Sequence, residues 1–167
     1  MNMFSIEIKI LRVNELNDFR AIRLSALAKC PEMFGSTYSV EVEKPLNFFE
    51  SCLLSSTVFG VYHNDKIIGL ATLTRENGIK LSHKAVLSSV FIESEFQRQG
   101  IASELLCAVI AYAKAQVEQI LLTVADGNQS AIKLYQKFGF QVYGVEKKAL
   151  KNNTEYTDEL LMKLFLL

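Results

Sequence analysis

Cysteine is scarce in this sequence and follows no pairing pattern. Cys30, Cys52 and Cys107 are far apart, odd in number and without a C-x-x-C spacing. That argues against a disulfide scaffold or a zinc site, and no metal is expected; it fits reduced thiols in a cytoplasmic protein. Charge of one sign is missing too. The 18 basic residues balance 18 acidic ones, and neither sign forms a run. A phosphate backbone or an anionic membrane surface would favour a basic face, so neither nucleic acid nor membrane is expected as a partner. Long hydrophobic runs are absent as well. The opening "MNMFSIEIKILRV" has no basic region followed by a long apolar one, and the closing "LLMKLFLL" is too short to span a bilayer and is broken by Lys163.

What is present suffices for a core. With 167 residues, half of them apolar, a single domain over residues 1–167 is expected. Ser5 to Val13 alternates as a strand; Asn14 offers a cap to a helix carrying Leu16, Phe19, Arg23 and Leu27 at helical spacing, which Pro31 ends. A loop, "EMFGSTYSVEVE", leads to a second helix with Pro45 at its first position. A hairpin follows, turning at "NDK", and then "ENG" leads into a long extended run, "IKLSHKAVLSSVFI". A helix from about Gly100 to Gln116, the strand "QILLTV" read as buried on both faces, the helix "NQSAIKLYQKF" and two last strands complete the chain. The order is β-α-α-β-β-β-α-β-α-β-β, a mixed α/β class with a mixed sheet.

The helix start at "ESEFQRQGIASELL" has no Ser, Thr, Asp or Asn cap; glycine stands there instead. The first N–H groups of a helix and the positive end of its dipole point the same way and attract anions. Gly100 presents no Cβ to obstruct approach, and Ala102 keeps the next alternate position small. An ordinary glycine cap served by water explains the same residues, and one glycine is a weak motif. A second stretch, "NQSAIKLYQKFGF", puts Ala131, Leu134, Tyr135 and Phe138 on one stripe. This reads as a core helix, yet a tyrosine hydroxyl there needs a polar partner.

Together, Q-x-x-G-x-A at Gln97, Gly100 and Ala102, and N-x-x-A-x-x-L-Y-x-x-x-G-F from Asn128 to Phe140, resemble the GNAT superfamily of acyl-CoA N-acyltransferases, and the element order is similar over the whole chain. The resemblance implies the GNAT fold, acetyl-CoA as co-substrate and an amine acceptor. It implies that backbone N–H groups along Gln97, Arg98, Gln99, Gly100, Ile101, Ala102 and Ser103 bind the pyrophosphate of coenzyme A. It implies that the backbone of Val90, Phe91 and Ile92 pairs with the pantetheine amides, as an added strand would. Asn128 matches a contact to the pantetheine arm, with Ala131 beside it in the motif. Tyr135 matches the general acid that protonates the departing thiolate, a role that suits a phenol; a core tyrosine is the other reading.

No residue identifies itself as a general base. "AVLSSVFI" lacks the carboxylate that some relatives carry. Glu93 reads as a solvated surface charge, and Glu76 and His83 as surface residues that could reach the pocket. Phe34, Tyr38, Glu41 and Glu43 could contact an amine, with nothing to fix their direction. The acceptor stays open between small amines, amino acids, polyamines and protein N-termini. A non-catalytic acyl-CoA-binding module is the competing expectation, with a domain binding some other diphosphate behind it. The apolar final strand, Leu160 to Leu167, could pair two copies through an exposed edge, giving a homodimer, or could equally be core.

Overall fold

The computed structural model describes residues 5–167; Met1–Phe4, the first part of the stretch without a basic region, lie outside the described residues. The chain forms a seven-stranded mixed sheet with strand order β1-β2-β3-β4-β5-β7-β6. It divides into two compact units, one running to Thr74 together with Leu87–Tyr112, the other Arg75–Val86 together with Ala113–Leu167. Among the described residues no helix is long and apolar enough to cross a membrane.

The first unit begins with β1 (Glu7–Ile10), which pairs antiparallel with β2 (Thr57–His63), and β2 in turn pairs antiparallel with β3 (Lys66–Arg75). Asn64 (φ 47°) and Asp65 (φ 62°) make the two-residue turn between β2 and β3. Two successive left-handed residues give a turn whose twist matches that of the strands. Three helices lie between β1 and β2: α1 (Leu16–Lys29), α2 (Tyr38–Glu41) and α3 (Leu46–Ser55). Asn14 does not cap α1. Val13–Glu15 forms a 3₁₀ turn instead, and the Glu15 carboxylate accepts from the Arg12 N–H at 2.7 Å. Pro45 stands just before α3 rather than inside it, and α2 forms within the segment expected to be a loop.

These helices bury Phe19, Ile22, Leu27, Phe49 and Leu53 with Leu11, Val58, Leu70 and Phe91 in one cluster. Phe49 is fully buried, its ring edge-on to Phe19 and Phe48 at 6.1 and 5.2 Å between centroids. Burying a side chain of that size stabilises by about 1.5–3 kcal/mol. The β4 strand (Lys84–Ile92) follows β3, and a Cβ added at Gly69 of β3 would come within 2.8 Å of the Phe91 carbonyl oxygen. Helix α4 (Ile101–Lys114) buries Ile101, Leu105, Leu106 and Val109.

In the second unit the extended run begins later than expected. Gly78 (φ 101°) turns the chain, and its carbonyl accepts from the N–H groups of both Leu81 and Ser82, so Ile79 to His83 form a turn rather than a strand. Ile79 is left 99% exposed, with no core to draw it in. The first residues of β4 pair parallel with β5 (Gln119–Ala125) over three rungs, Lys84–Gln119, Ala85–Ile120 and Val86–Leu121. β5 is not buried on both faces: Ile120, Leu122 and Val124 are buried while Thr123 is exposed.

Helix α5 (Gln129–Lys137) ends at Gly139 (φ 95°), the left-handed cap expected there. It buries Ile132 and Tyr135, while Ala131, Leu134 and Phe138 are only half-buried, so the buried stripe is narrower than the motif suggested. Strands β6 (Gln141–Asn152) and β7 (Glu155–Phe165) form an antiparallel hairpin. β7 is paired along both sides, with β5 and with β6, and Met162 is fully buried. The final strand therefore has no free edge for a second copy, and that route to a homodimer is withdrawn.

Candidate functional site

In the first unit β4 leads into a tight connection. Ser94–Phe96 forms a 3₁₀ turn, and Gln97 then sends its side-chain amide back to the Ile92 carbonyl at 2.8 Å. Gln97 thus ties the loop to the strand it leaves. Arg98 (φ 60°) and Gly100 (φ 81°) are both left-handed. Glycine takes that conformation freely; arginine does so at a cost of roughly 1–2 kcal/mol. The first bond closing a full turn of α4 runs from the Glu104 N–H to the Gly100 carbonyl at 3.1 Å. The N–H groups of Ile101, Ala102 and Ser103 stand ahead of it. Arg98 and Gly100 are exposed, Gln99, Ala102 and Ser103 half-buried, and the Ile101 side chain points into the core. Gly100 is exposed at this corner, and Ala102 and Ser103 keep the first turn of α4 small, which suits a diphosphate.

Upstream on the same strand, Ser89 is left-handed (φ 57°). A non-glycine residue in that conformation inside a strand interrupts the alternation of faces. Ala85 and Leu87 are buried on one side of this break, and the adjacent Phe91 and Ile92 are both buried beyond it, with Val90 half-buried between. "SSVFI" gave no sign of the irregularity.

Ser89 contributes to a polar cluster that sequence reasoning only half found. Arg23 on α1 donates from Nε and Nη2 to the two carboxylate oxygens of Glu41, at 3.0 and 2.8 Å, and from Nη1 to Ser89 Oγ at 2.8 Å. The guanidinium also lies over the Phe34 ring, 4.8 Å from its centroid. Glu41 is 3% exposed. Burial by itself would raise its carboxyl, but the hydrogen bonds and charge of Arg23, helped by Ser36, outweigh this and hold it below the usual carboxylate range. Of the four residues whose direction was open, Glu41 and Phe34 join this cluster, while Tyr38 and Glu43 are exposed. Arg23 was legible only as a charge on an otherwise apolar helical stripe.

The cluster borders a cavity of about 160 Å³, walled on its apolar side by Phe19, Phe49 and Val58. Cys52 lines it too, its thiol pushed up by burial, which disfavours the reactive thiolate. Cys107 lies exposed on α4. Glu93 is not simply solvated: its carboxylate accepts from Ser25 Oγ and pairs with Lys29.

In the second unit Asn128 caps α5, its side-chain oxygen accepting from the Ala131 N–H at 3.3 Å. Tyr135 is 7% exposed and packs edge-on against Phe140 at 5.7 Å between centroids. No described residue bonds its hydroxyl, which reaches the surface, since no buried side-chain polar atom among the described residues lacks a partner. Burial of the residue pushes the hydroxyl up to about 12. It is therefore protonated at neutral pH. His83 is half-buried at the foot of β4, where its carbonyl accepts from Glu118 and Gln119; Glu76, also half-buried, bonds through its N–H to the Lys84 carbonyl. Among the described residues no cluster could hold a metal ion.

The model of an acetyltransferase (GNAT) domain matches residues 8–161. The L-amino acid N-acetyltransferase AaaT of Escherichia coli is 33% identical over 160 residues, covering 92% of this chain and 95% of that protein. A spermine/spermidine N(1)-acetyltransferase of Bacillus subtilis is 28% identical over 95 residues, covering 51% of this chain and 59% of that protein. Two solved structures share the fold. A GNAT-family acetyltransferase from Streptococcus pneumoniae matches at TM-score 0.85 and 21% identity, covering 98% of this chain and 100% of its own. A Salmonella typhimurium protein solved with acetyl-CoA matches at TM-score 0.83 and 18% identity, covering 98% of this chain and 95% of its own. GNAT acetyltransferases use acetyl-CoA as co-substrate. With its mixed seven-stranded sheet and a family match over nearly its whole length, the chain belongs to the GNAT acetyltransferase family.

Proposed function

We propose that this protein is an N-acetyltransferase that moves the acetyl group of acetyl-CoA to the primary amine of a small acceptor by direct attack in a ternary complex. The observation that carries the reading is Tyr135: a buried phenol, protonated at neutral pH, whose hydroxyl is committed to no other group among the described residues. A hydroxyl that is bonded to no described residue and reaches the surface of a buried ring is free to meet a bound thioester sulfur.

The Gln97–Ser103 corner binds pyrophosphate through backbone N–H groups, with Arg98 adding positive charge. Val90, Phe91 and Ile92 lie along β4 beyond the last rung of its ladder with β5 and offer their backbone to the pantetheine amides. Asn128 spends its side-chain oxygen on capping α5, so its amide N–H₂ is the part left to meet the pantetheine arm, next to Ala131. The attacking amine must be neutral; for a lysine-like amine this costs roughly 4–5 kcal/mol at pH 7. Desolvation on entering the acceptor cavity lowers that cost by disfavouring the charged form. The nitrogen lone pair attacks the thioester carbonyl carbon, the C–S bond breaks, and the Tyr135 hydroxyl gives its proton to the departing sulfur. The proton lost by the amine leaves through water. Tyr135 recovers its own from solvent.

The acceptor class follows the near full-length relative: we read it as an amino acid. The match of one family model across residues 8–161 supports a single catalytic domain, and the free cysteines suit the cytoplasm. A thermal melt with acetyl-CoA, CoA, ATP and NAD at matched concentration tests the cofactor. At about 100 times the dissociation constant a ligand stabilises by ~2.7 kcal/mol, a rise of roughly 5–10 °C for a chain of this size. A rise with acetyl-CoA and CoA only, followed by amine-dependent CoA release, is expected. A rise with no release across amino acids and polyamines would instead favour a non-catalytic acyl-CoA sensor.

A further inference from the structure

Resting on the transferase reading, we infer that Arg23 is the specificity-determining residue of the acceptor cavity: it binds the carboxylate of an amino acid whose apolar side chain fills the cavity. Three of the five guanidinium N–H donors are taken, two by Glu41 and one by Ser89. Two remain without a partner among the described residues. Both Arg23 and Glu41 line the cavity, and the Arg23 side chain is 20% exposed against 4% for Glu41, so an entering molecule meets more of the cation than of the anion. The two remaining N–H groups of Arg23 are the donors the cluster leaves for an anion.

The guanidinium is also held still. Its edge is clamped by Glu41, one nitrogen is fixed by Ser89, and a face rests on Phe34. A group already immobilised loses little freedom on binding, so more of each new hydrogen bond appears as affinity. Glu41 acts here as a positioning residue. It is no candidate base, since the partner that holds its carboxyl below the usual range also weakens it as a proton acceptor. The left-handed turn at Ser89 ends the clamp one residue before Val90.

The rest of the cavity offers an apolar wall of Phe19, Phe48, Phe49 and Val58, with Ser55, Ser56, Thr72 and Ser88 sharing the lining. The space is about 160 Å³, close to the ~150 Å³ of a cavity known to hold benzene. A phenyl-sized side chain fits that space. An amino acid of this kind would present its carboxylate to Arg23 and its side chain to the aromatic wall. A polyamine would leave Arg23 facing another cation.

The test compares L-phenylalanine with 2-phenylethylamine, which keeps the amine and ring and lacks the carboxylate, as acceptors in acetyl-CoA-dependent CoA release. The wild type is expected to prefer L-phenylalanine by about 10- to 100-fold in kcat/KM, the range of a charge-assisted hydrogen-bond pair. Arg23→Gln would strand the Glu41 charge and risks misfolding, so the paired variant Arg23→Met with Glu41→Leu, which removes both charges together, is measured as well. In it the preference should fall to within about threefold of unity, with the acetyl-CoA melt shift retained as a control on folding. A wild-type ratio near one, or a ratio the paired variant leaves intact, overturns the role of Arg23 while the transferase reading stands. Turnover of no amine at all by a wild type that binds acetyl-CoA refutes both.

Discussion

Replacing Tyr135 with phenylalanine removes one oxygen and leaves the ring against Phe140. Because the hydroxyl bonds to no described residue, stability at pH 7 should change by no more than about 0.5–1 kcal/mol. At high pH the two proteins should part. Burial raises Tyr135 to about 12 from the ordinary value of 10.0. A group whose folded pKa is raised supports the fold fully below its unfolded pKa and stops doing so as pH climbs through the folded one. Two units correspond to roughly 2.7 kcal/mol, lost by the wild type between about pH 10 and 12 and not by the variant. Urea unfolding at pH 7, 10 and 11.5 measures this difference, and common alkaline effects cancel in the comparison. Turnover gives the second readout. Loss of a general acid lowers kcat by about 10²- to 10⁴-fold, with the acetyl-CoA melt shift unchanged. A variant several kcal/mol less stable at pH 7 would mean that the hydroxyl has a structural partner. Wild-type kcat in a folded variant would remove Tyr135 from the chemistry.

Asn128→Ala should cost about 1 kcal/mol through loss of the α5 cap, read as a lower urea midpoint, and should weaken acetyl-CoA binding more than an equally destabilising change elsewhere on α5. Gly69→Ala places a Cβ 2.6 Å from Ile92 Cδ1 and 2.8 Å from the Phe91 carbonyl oxygen. That crowding should cost roughly 1–3 kcal/mol in unfolding experiments and raise the KM for acetyl-CoA by shifting β4. Glu41→Gln should lower the melting temperature at pH 7. Glu41 titrates below its ordinary range in the fold, so its contribution is present above the unfolded pKa and lost as pH falls through the folded one. The melting curves of variant and wild type should therefore converge in acid, and a gap that did not narrow as pH falls below the ordinary carboxylate range would show that the loss does not come from the Glu41 charge.

The turns and caps of the two motifs were legible because their signals are local. Gly100 and Gly139 mark left-handed turns, Asn128 marks a helix start, and Tyr135 stands at fixed helical spacing from it; each role is set within a few residues, much of it by backbone. Periodicity likewise gave the element order. Short segments failed where local pattern and packing disagree. The apolar letters of Ile79 to His83 suggested strand, yet a turn closed by the Gly78 carbonyl leaves Ile79 outside any core. The apolar final strand looked available as an edge, and pairing on both sides took that edge away. The Arg23 cluster lay furthest from reach. Arg23 meets Glu41 across 18 residues and Ser89 across 66, through a helix turn hidden in an expected loop and a left-handed residue inside a strand. Spacing along a chain encodes contacts one turn or one strand away. Which carboxylate neutralises a half-buried arginine, and which two of its N–H groups are left over, is decided only when distant elements pack.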